Sequence, residues 1–166
     1  MRKAVVVDTN VPVAANRGAT QAGLDCVLAC IVALKDIQKT KRVLVDQLGL
    51  ILSEYRTHLA PTGQPGTGDA FFKWLWDNQG NPNLCWHAAI TPSSDPSRGF
   101  EEFPDDPALS NFDRSDRVFV AVALASQEGS PILNATDSDW WLFEGQLKRH
   151  QVKVQFVCPA LMRLHR

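Results

Sequence analysis

The sequence predicts an α/β fold in three layers, with a central, mainly parallel sheet between helices. Three observations predict it. Residues 4–7 form an unbroken apolar run, three of its four members β-branched, as in a strand covered on both faces. A similar run returns at residues 42–46 (RVLVD), and residues 132–136 read as a further strand. Between them lie longer stretches with apolar residues at helical spacing, and alternating strand and helix is the pattern of parallel sheets.

Strand one, residues 3–8, runs straight into Asp8, Thr9 and Asn10. Residues 11–20, with Pro12 and Gly18, read as a loop. A helix follows over 20–40, because Leu24, Val27, Leu28, Ile31, Leu34 and Ile37 recur at its period. Lys39, Lys41 and Arg42 stand at its end, where cations suit the helix dipole. Strand two is 42–46, and its closing Asp46 reads as a helix cap. The second helix starts near Gln47, buries Leu48, Ile51, Leu52, Tyr55 and Leu59, and stops at Pro61. Glu54 and His58 share its flank, one turn apart, and His58 reads as a structural or surface group. After a Gly/Pro loop at 62–68, Asp69 is placed to cap an aromatic helix over 70–79. A third strand falls at 84–91.

Residues 92–111 form a connector with four prolines, an ordered loop. Residues 95–116 hold seven acids against Arg98 and Arg114, and loops this long in compact domains are usually functional or disordered. The third main helix spans 113–127 and is apolar all round from Val118 to Ala125, hence buried. Asp113 and Asp116 open it with capping-box-like spacing, Asp113 as the cap. A strand at 132–136, a helix at 140–150 and a last strand at 152–158 complete the pattern. The aromatic residues read as core, with a base-stacking role for Trp140 or Trp141 as the alternative.

The chain has 166 residues, the size of one compact domain, and 45% are hydrophobic, which supplies a core and excludes wholesale disorder. A net charge of -1 excludes a polycation, so nucleic-acid contact needs local basic clusters. Of the four cysteines none forms a CxxC pair, and Cys26 and Cys30 read as small hydrophobes on a helix. No signal peptide precedes strand one and no apolar run reaches membrane-spanning length. A reducing, cytoplasmic setting is the expectation.

Acids recur where a parallel sheet brings strand ends together: Asp8, Glu54, Asp116, Asp137 and Asp139. Clustered carboxylates raise each other's pKa unless a cation neutralises them, and oxygen-only donors suit Mg²⁺ or Mn²⁺. Such a centre polarises phosphate and generates hydroxide from water. Asp8, Asp116 and Asp137 are the main candidate ligands. Glu54 is a ligand or orients water, Asp139 is auxiliary, and Asn10 and Thr136 support the site. Arg17, Arg56, Arg114 and Arg117 are candidates to hold phosphate. Arg114 leads them, because it sits between two acids at a helix start. Other acid patterns fit worse. A dehalogenase-type phosphatase wants DxD after strand one, where this chain has Asp8-Thr9-Asn10, and a Toprim nuclease wants a strand-end Glu, whereas Glu54 lies in a helix. Neither nucleotide-loop signature is present.

With Asp8, Glu54, Asp116 and Asp137 in this order, the chain resembles the PIN-domain nucleases over nearly its whole length. DTN looks like the opening motif, ILSEY the helix-borne Glu, FDRSDRVFVAVALA the third-acid helix, NATDSDW the closing strand–Thr–Asp segment, and VQFVCPALM the last strand and tail. The resemblance implies one PIN-like domain over 1–166 with sheet order 3-2-1-4-5, Mg²⁺ or Mn²⁺, and hydrolysis of a phosphodiester to leave a 5′-phosphate. It implies RNA before DNA as substrate, an antitoxin or other regulatory protein as partner, and a homodimer as a further option. The acidic insertion at 91–111 departs from the compact toxin pattern and fits a partner surface or a gate. A DNA-cutting effector in a larger complex and a catalytically silent binding module are the alternative readings.

Overall fold

A computed structural model describes residues 1–165. Five strands pair in parallel: β1 (Lys3–Val7), β2 (Lys41–Asp46), β3 (Cys85–Ala88), β4 (Ile132–Asn134) and β5 (Val154–Phe156). Their order is β3-β2-β1-β4-β5, the one the resemblance implies. Val5 to Val7 and Val43 to Val45 are all but inaccessible, which is what an unbroken apolar run requires of a strand covered on both faces.

Crossover handedness places the helices. β1 reaches β2 through α1 (Asn10–Ala15) and α2 (Leu24–Thr40), and β2 reaches β3 through α3 (Leu50–His58) and α4 (Thr67–Asp77). Right-handed crossovers moving one way along a sheet put their helices on one face, and α1, α2 and α4 pack together. The chain then returns past β2 and β1, so α5 (Arg117–Ala125) packs against β1, β2 and β4 from the other side. Its residues from Arg117 to Ala123 are buried, as its all-round apolar sequence predicts. Helices α6 (Ser138–Leu142) and α7 (Glu144–Arg149) lead to β5, and α8 (Pro159–Met162) follows.

Several boundaries differ from the sequence reading. The expected loop after strand one contains α1, six residues long, with Pro12 in the first turn, where its missing N–H costs no hydrogen bond. The expected helix at 113–127 opens as a 3₁₀ turn, Arg114–Asp116, whose N-cap is Asp113 as predicted. The expected helix at 140–150 is broken at Phe143 into α6 and α7. Asp69 lies inside the first turn of α4 rather than capping it from outside. Its carboxylate accepts N–H bonds from Gly66 at 2.9 Å and Ala60 at 2.8 Å and the Asn16 amide at 2.9 Å. Only glycine fits the crossing of α4 and α1 there, because a Cβ on Gly68 would lie 2.0 Å from the Pro12 carbonyl oxygen. Asp46 caps α3 as read, accepting from the Leu50 and Ile51 N–H groups.

Cys26 corrects the reading of the cysteines. It is bonded to Cys158, 132 residues away, joining α2 to the start of α8, while Cys30 and Cys85 are free and buried. Sequence spacing carries no trace of a pairing made by the neighbouring positions of two distant elements. The connector at 92–111 is ordered, as expected. Pro92 bridges Phe100, residues Pro107–Leu109 form a 3₁₀ turn, and Phe103 and Leu109 are buried. Among the described residues no helix is long and apolar enough to cross a membrane.

Candidate metal centre

Strand order reverses direction between β1 and β4, and the crevice beyond the carboxyl ends of such strands is where open α/β sheets bind ligands. Asp8 stands there because its N–H bonds to the Leu133 carbonyl at 3.0 Å, carrying the β1–β4 pairing past the last residue of β1. Asp137 stands just beyond β4 and caps α6, accepting the Asp139 N–H at 2.9 Å. Asp116 closes the 3₁₀ turn and sits at the amino end of α5, where the helix dipole favours negative charge. Carboxylate oxygens of Asp8, Asp116 and Asp137 all lie within 4.8 Å of one another. They share a cavity of about 240 Å³ with Thr9, Asn10, Val13, Glu54 and His58.

Burial decides the electrostatics. Asp8 is 5% exposed, and burial pushes its carboxyl up to about 7, opposed by the N–H groups of Asn10 and Trp140 and assisted by Asp137 and Glu54. Asp116 is pushed up to about 10, by burial first, then by the Asp8 charge and its contact with Asp137. Burial, Asp137 and Asp113 also raise Asp139. Among the described residues no lysine or arginine lines the cavity to offset these charges. One oxygen of Asp116 is buried without a hydrogen-bond partner among the described residues. Buried acceptors are rarely left so, and a hard cation is the partner that fits an orphaned oxygen amid three carboxylates. The three converging donors are all carboxylate oxygens and therefore suit Mg²⁺ or Mn²⁺; among the described residues no cysteine lines the cavity, and His58 on its wall is not one of the converging group.

The other expected site residues divide. Glu54 lines the cavity and accepts a hydrogen bond from the Thr9 hydroxyl, but lies outside the three-carboxylate cluster. Asp139 forms a second group with Asp113 and Asp116, and its carboxylate accepts the Asp113 N–H at 2.9 Å. Asn10 is a stitch. Its amide donates to Asn134 at 2.8 Å and accepts from the N–H groups of Ala135 at 2.7 Å and Thr136 at 3.4 Å, tying β1 to β4. Thr136 is buried beside Asp137. Arg17 is exposed, in a left-handed backbone conformation after α1, and Arg114 is exposed on the insertion side, lining a cavity with Asp95 and Arg98. Arg56 stacks on Trp76, with its guanidinium 5.1 Å from the ring centre.

Arg117 corrects the sequence reading. It is 3% exposed and does not line the carboxylate cavity. Its guanidinium donates to the carbonyls of Ser97, Arg98, Leu109, Ser110 and Phe112, and lies 4.5 Å over the Phe103 ring. These acceptors belong to the insertion and the segment after it, so Arg117 anchors that segment.

Three contributors escaped the sequence reading. Trp140 is fully buried and its indole N–H donates to Asp8 at 2.8 Å, which excludes base stacking by this ring. The Tyr55 hydroxyl donates to the Val7 carbonyl, fixing α3 to the end of β1. His58, expected to be structural or superficial, is exposed on the cavity wall. The shared flank of Glu54 and His58 was the one signal for it.

No protein-family model matches the chain, and neither a curated protein nor a solved structure matches it.

Proposed function

We propose that this chain is a metal-dependent nuclease of the PIN type, hydrolysing phosphodiester bonds in RNA. The observation that carries the reading is the convergence of Asp8, Asp116 and Asp137, one Asp116 oxygen buried without a partner, at the point where strand order reverses. Asp8, Asp116 and Asp137 would hold Mg²⁺ or Mn²⁺. When bound, the ion supplies polarisation of a phosphate oxygen and acidification of water. Trp140 and the Asn10 N–H fix the Asp8 carboxylate. Glu54, oriented by Thr9, lines the same cavity and is the group to orient or deprotonate the attacking water. Among the described residues His58 is the one that lines this cavity and becomes positive on protonation.

RNA as substrate, an antitoxin-like or other regulatory partner, and a homodimer rest on the resemblance alone. So does a cytoplasmic setting, against which the Cys26–Cys158 bond stands. The deciding experiment incubates the protein with single-stranded RNA and single-stranded DNA, each with Mn²⁺ or with EDTA. RNA cleavage that EDTA stops is expected. Cleavage of DNA alone favours a DNA-cutting effector, and binding without cleavage favours a silent module.

Trp140 offers a graded test of the same centre. Removing its donor leaves a buried Asp8 oxygen unpaired, and such supporting partners typically contribute about 10–100-fold to metal affinity. Trp140→Phe is expected to weaken Mn²⁺ binding by about tenfold in a calorimetric titration. Unchanged Mn²⁺ affinity would mean that Asp8 is not a ligand.

A further inference from the structure

We propose that the amino-terminal edge of the sheet carries a second site, which binds a small anion bearing several phosphates. This edge is remote from the carboxylates. β1 has five residues, so at about 3.3 Å per residue the two edges are roughly 15 Å apart. A cavity of about 640 Å³ opens there, lined by Arg2, Lys3, Lys41, Arg42 and Lys153 with Glu128 as its one acid. That volume suits a nucleotide-sized ligand. The topology makes the cluster, because the first residues of β1 and β2, and Lys153 just before β5, all come to this edge.

Charge states the ligand's chemistry. Glu128 pairs with Arg42, leaving four cations without a carboxylate among the lining residues: Arg2, Lys3, Lys41 and Lys153, five minus one. The chain as a whole carries -1, so this concentration is local. Arg2 is already positioned, its guanidinium donating to the carbonyls of Gln38 at 2.8 Å and Lys41 at 3.2 Å. The second observation is Arg42. It is 5% exposed, bonded to Glu128 and held 5.8 Å from the centre of the Trp86 ring, so it is a fixed part of the cavity wall that keeps the one lining acid occupied. The four cations left over at this cavity are balanced by an anion of about four charges, such as a triphosphate. A nucleic-acid track would spread cations along a groove with aromatic platforms, whereas these converge on one concavity.

The test is isothermal titration of the full chain with inorganic triphosphate and with ATP, both in EDTA so that no metal bridges ligand and carboxylates. Saturable binding to one site per chain is expected, weakening with salt. Lys41→Glu/Lys153→Glu should lower affinity by about tenfold or more, and Asp116→Asn should leave it unchanged. Equal binding of the two probes shows that the phosphates alone are recognised. Tighter ATP binding adds a nucleoside contact, and both results support the site. Lys3 and Lys153 are exposed, so Lys3→Glu/Lys153→Glu reads the same site if the first double variant fails to fold. No saturation at millimolar ligand, indifference to charge reversal, or loss of binding in Asp116→Asn would overturn the proposal. So would a single-stranded RNA that binds this edge where triphosphate does not. Failure here leaves the carboxylate centre untouched, since that reading is tested by cleavage with metal.

Discussion

Asp116→Asn is expected to lower metal-dependent cleavage by about a thousandfold or more, while the metal-free protein melts at the same temperature or higher. Burial and the neighbouring carboxylates push Asp116 up to about 10. Below that value the metal-free native state holds a proton that the unfolded chain releases above about pH 4. A state that binds more protons when folded loses stability as pH rises, so this contribution declines from about pH 4 up to about 10. Asp8, pushed up to about 7, adds a second decline ending near neutrality. Metal-free wild type should therefore melt higher at pH 5 than at pH 8, and Asp116→Asn should flatten that difference. Mn²⁺ should raise the wild-type melting temperature at pH 8 and leave the variant unmoved. Asp8→Asn is the less clean variant, because Asp8 accepts N–H bonds from both Asn10 and Trp140 and an amide satisfies only one of them. A marked loss of metal-free stability in Asp116→Asn would identify Asp116 as a structural cap and sink the metal reading.

The parts of this centre that were legible in the sequence are those fixed by local rules. An apolar run ending in an acid places Asp8 at a strand's carboxyl end, and Asp137 is placed by lying just beyond the strand read at 132–136. Asp116 was legible as the acid opening a helix that is apolar all round. The strand order was not readable from spacing and came from the ordered set of motifs. What sequence could not show depends on which side of a turn faces inward. Trp140 and Trp141 are adjacent and chemically alike, yet one holds Asp8 and the other packs edge-to-face against Phe156. Helix α1 is too short to show a period, and Pro12 and Gly18 read as loop punctuation. Arg114 and Arg117 stand on either side of Asp116, two residues before it and one after. The 3₁₀ turn carries Arg114 to solvent, and α5 carries Arg117 into the core beneath the insertion.

Arg117→Ala is therefore expected to destabilise the fold rather than to weaken substrate binding selectively. The change strands the carbonyl of Phe112, whose bonds to the guanidinium are buried, and the half-buried carbonyls of Ser97, Arg98 and Ser110, and removes the cation from the face of Phe103. Each buried acceptor left unpaired costs about 1–3 kcal/mol, so a loss of about 3 kcal/mol or more is expected. For a chain of this size that lowers the melting temperature by about 6–12 °C. Arg117→Lys should recover only part of it, because one ammonium cannot reach acceptors spread from Ser97 to Phe112 as a planar fork does. The His150–Asp106 contact at 2.8 Å ties the insertion to α7 at a more exposed point, and His150→Gln should cost far less. Proteolysis should localise the effect, with the insertion cut first in Arg117→Ala. A phosphate-contacting Arg117 would behave oppositely: the melting temperature would hold, RNA affinity would fall, and the salt dependence of binding would shrink by about one phosphate contact.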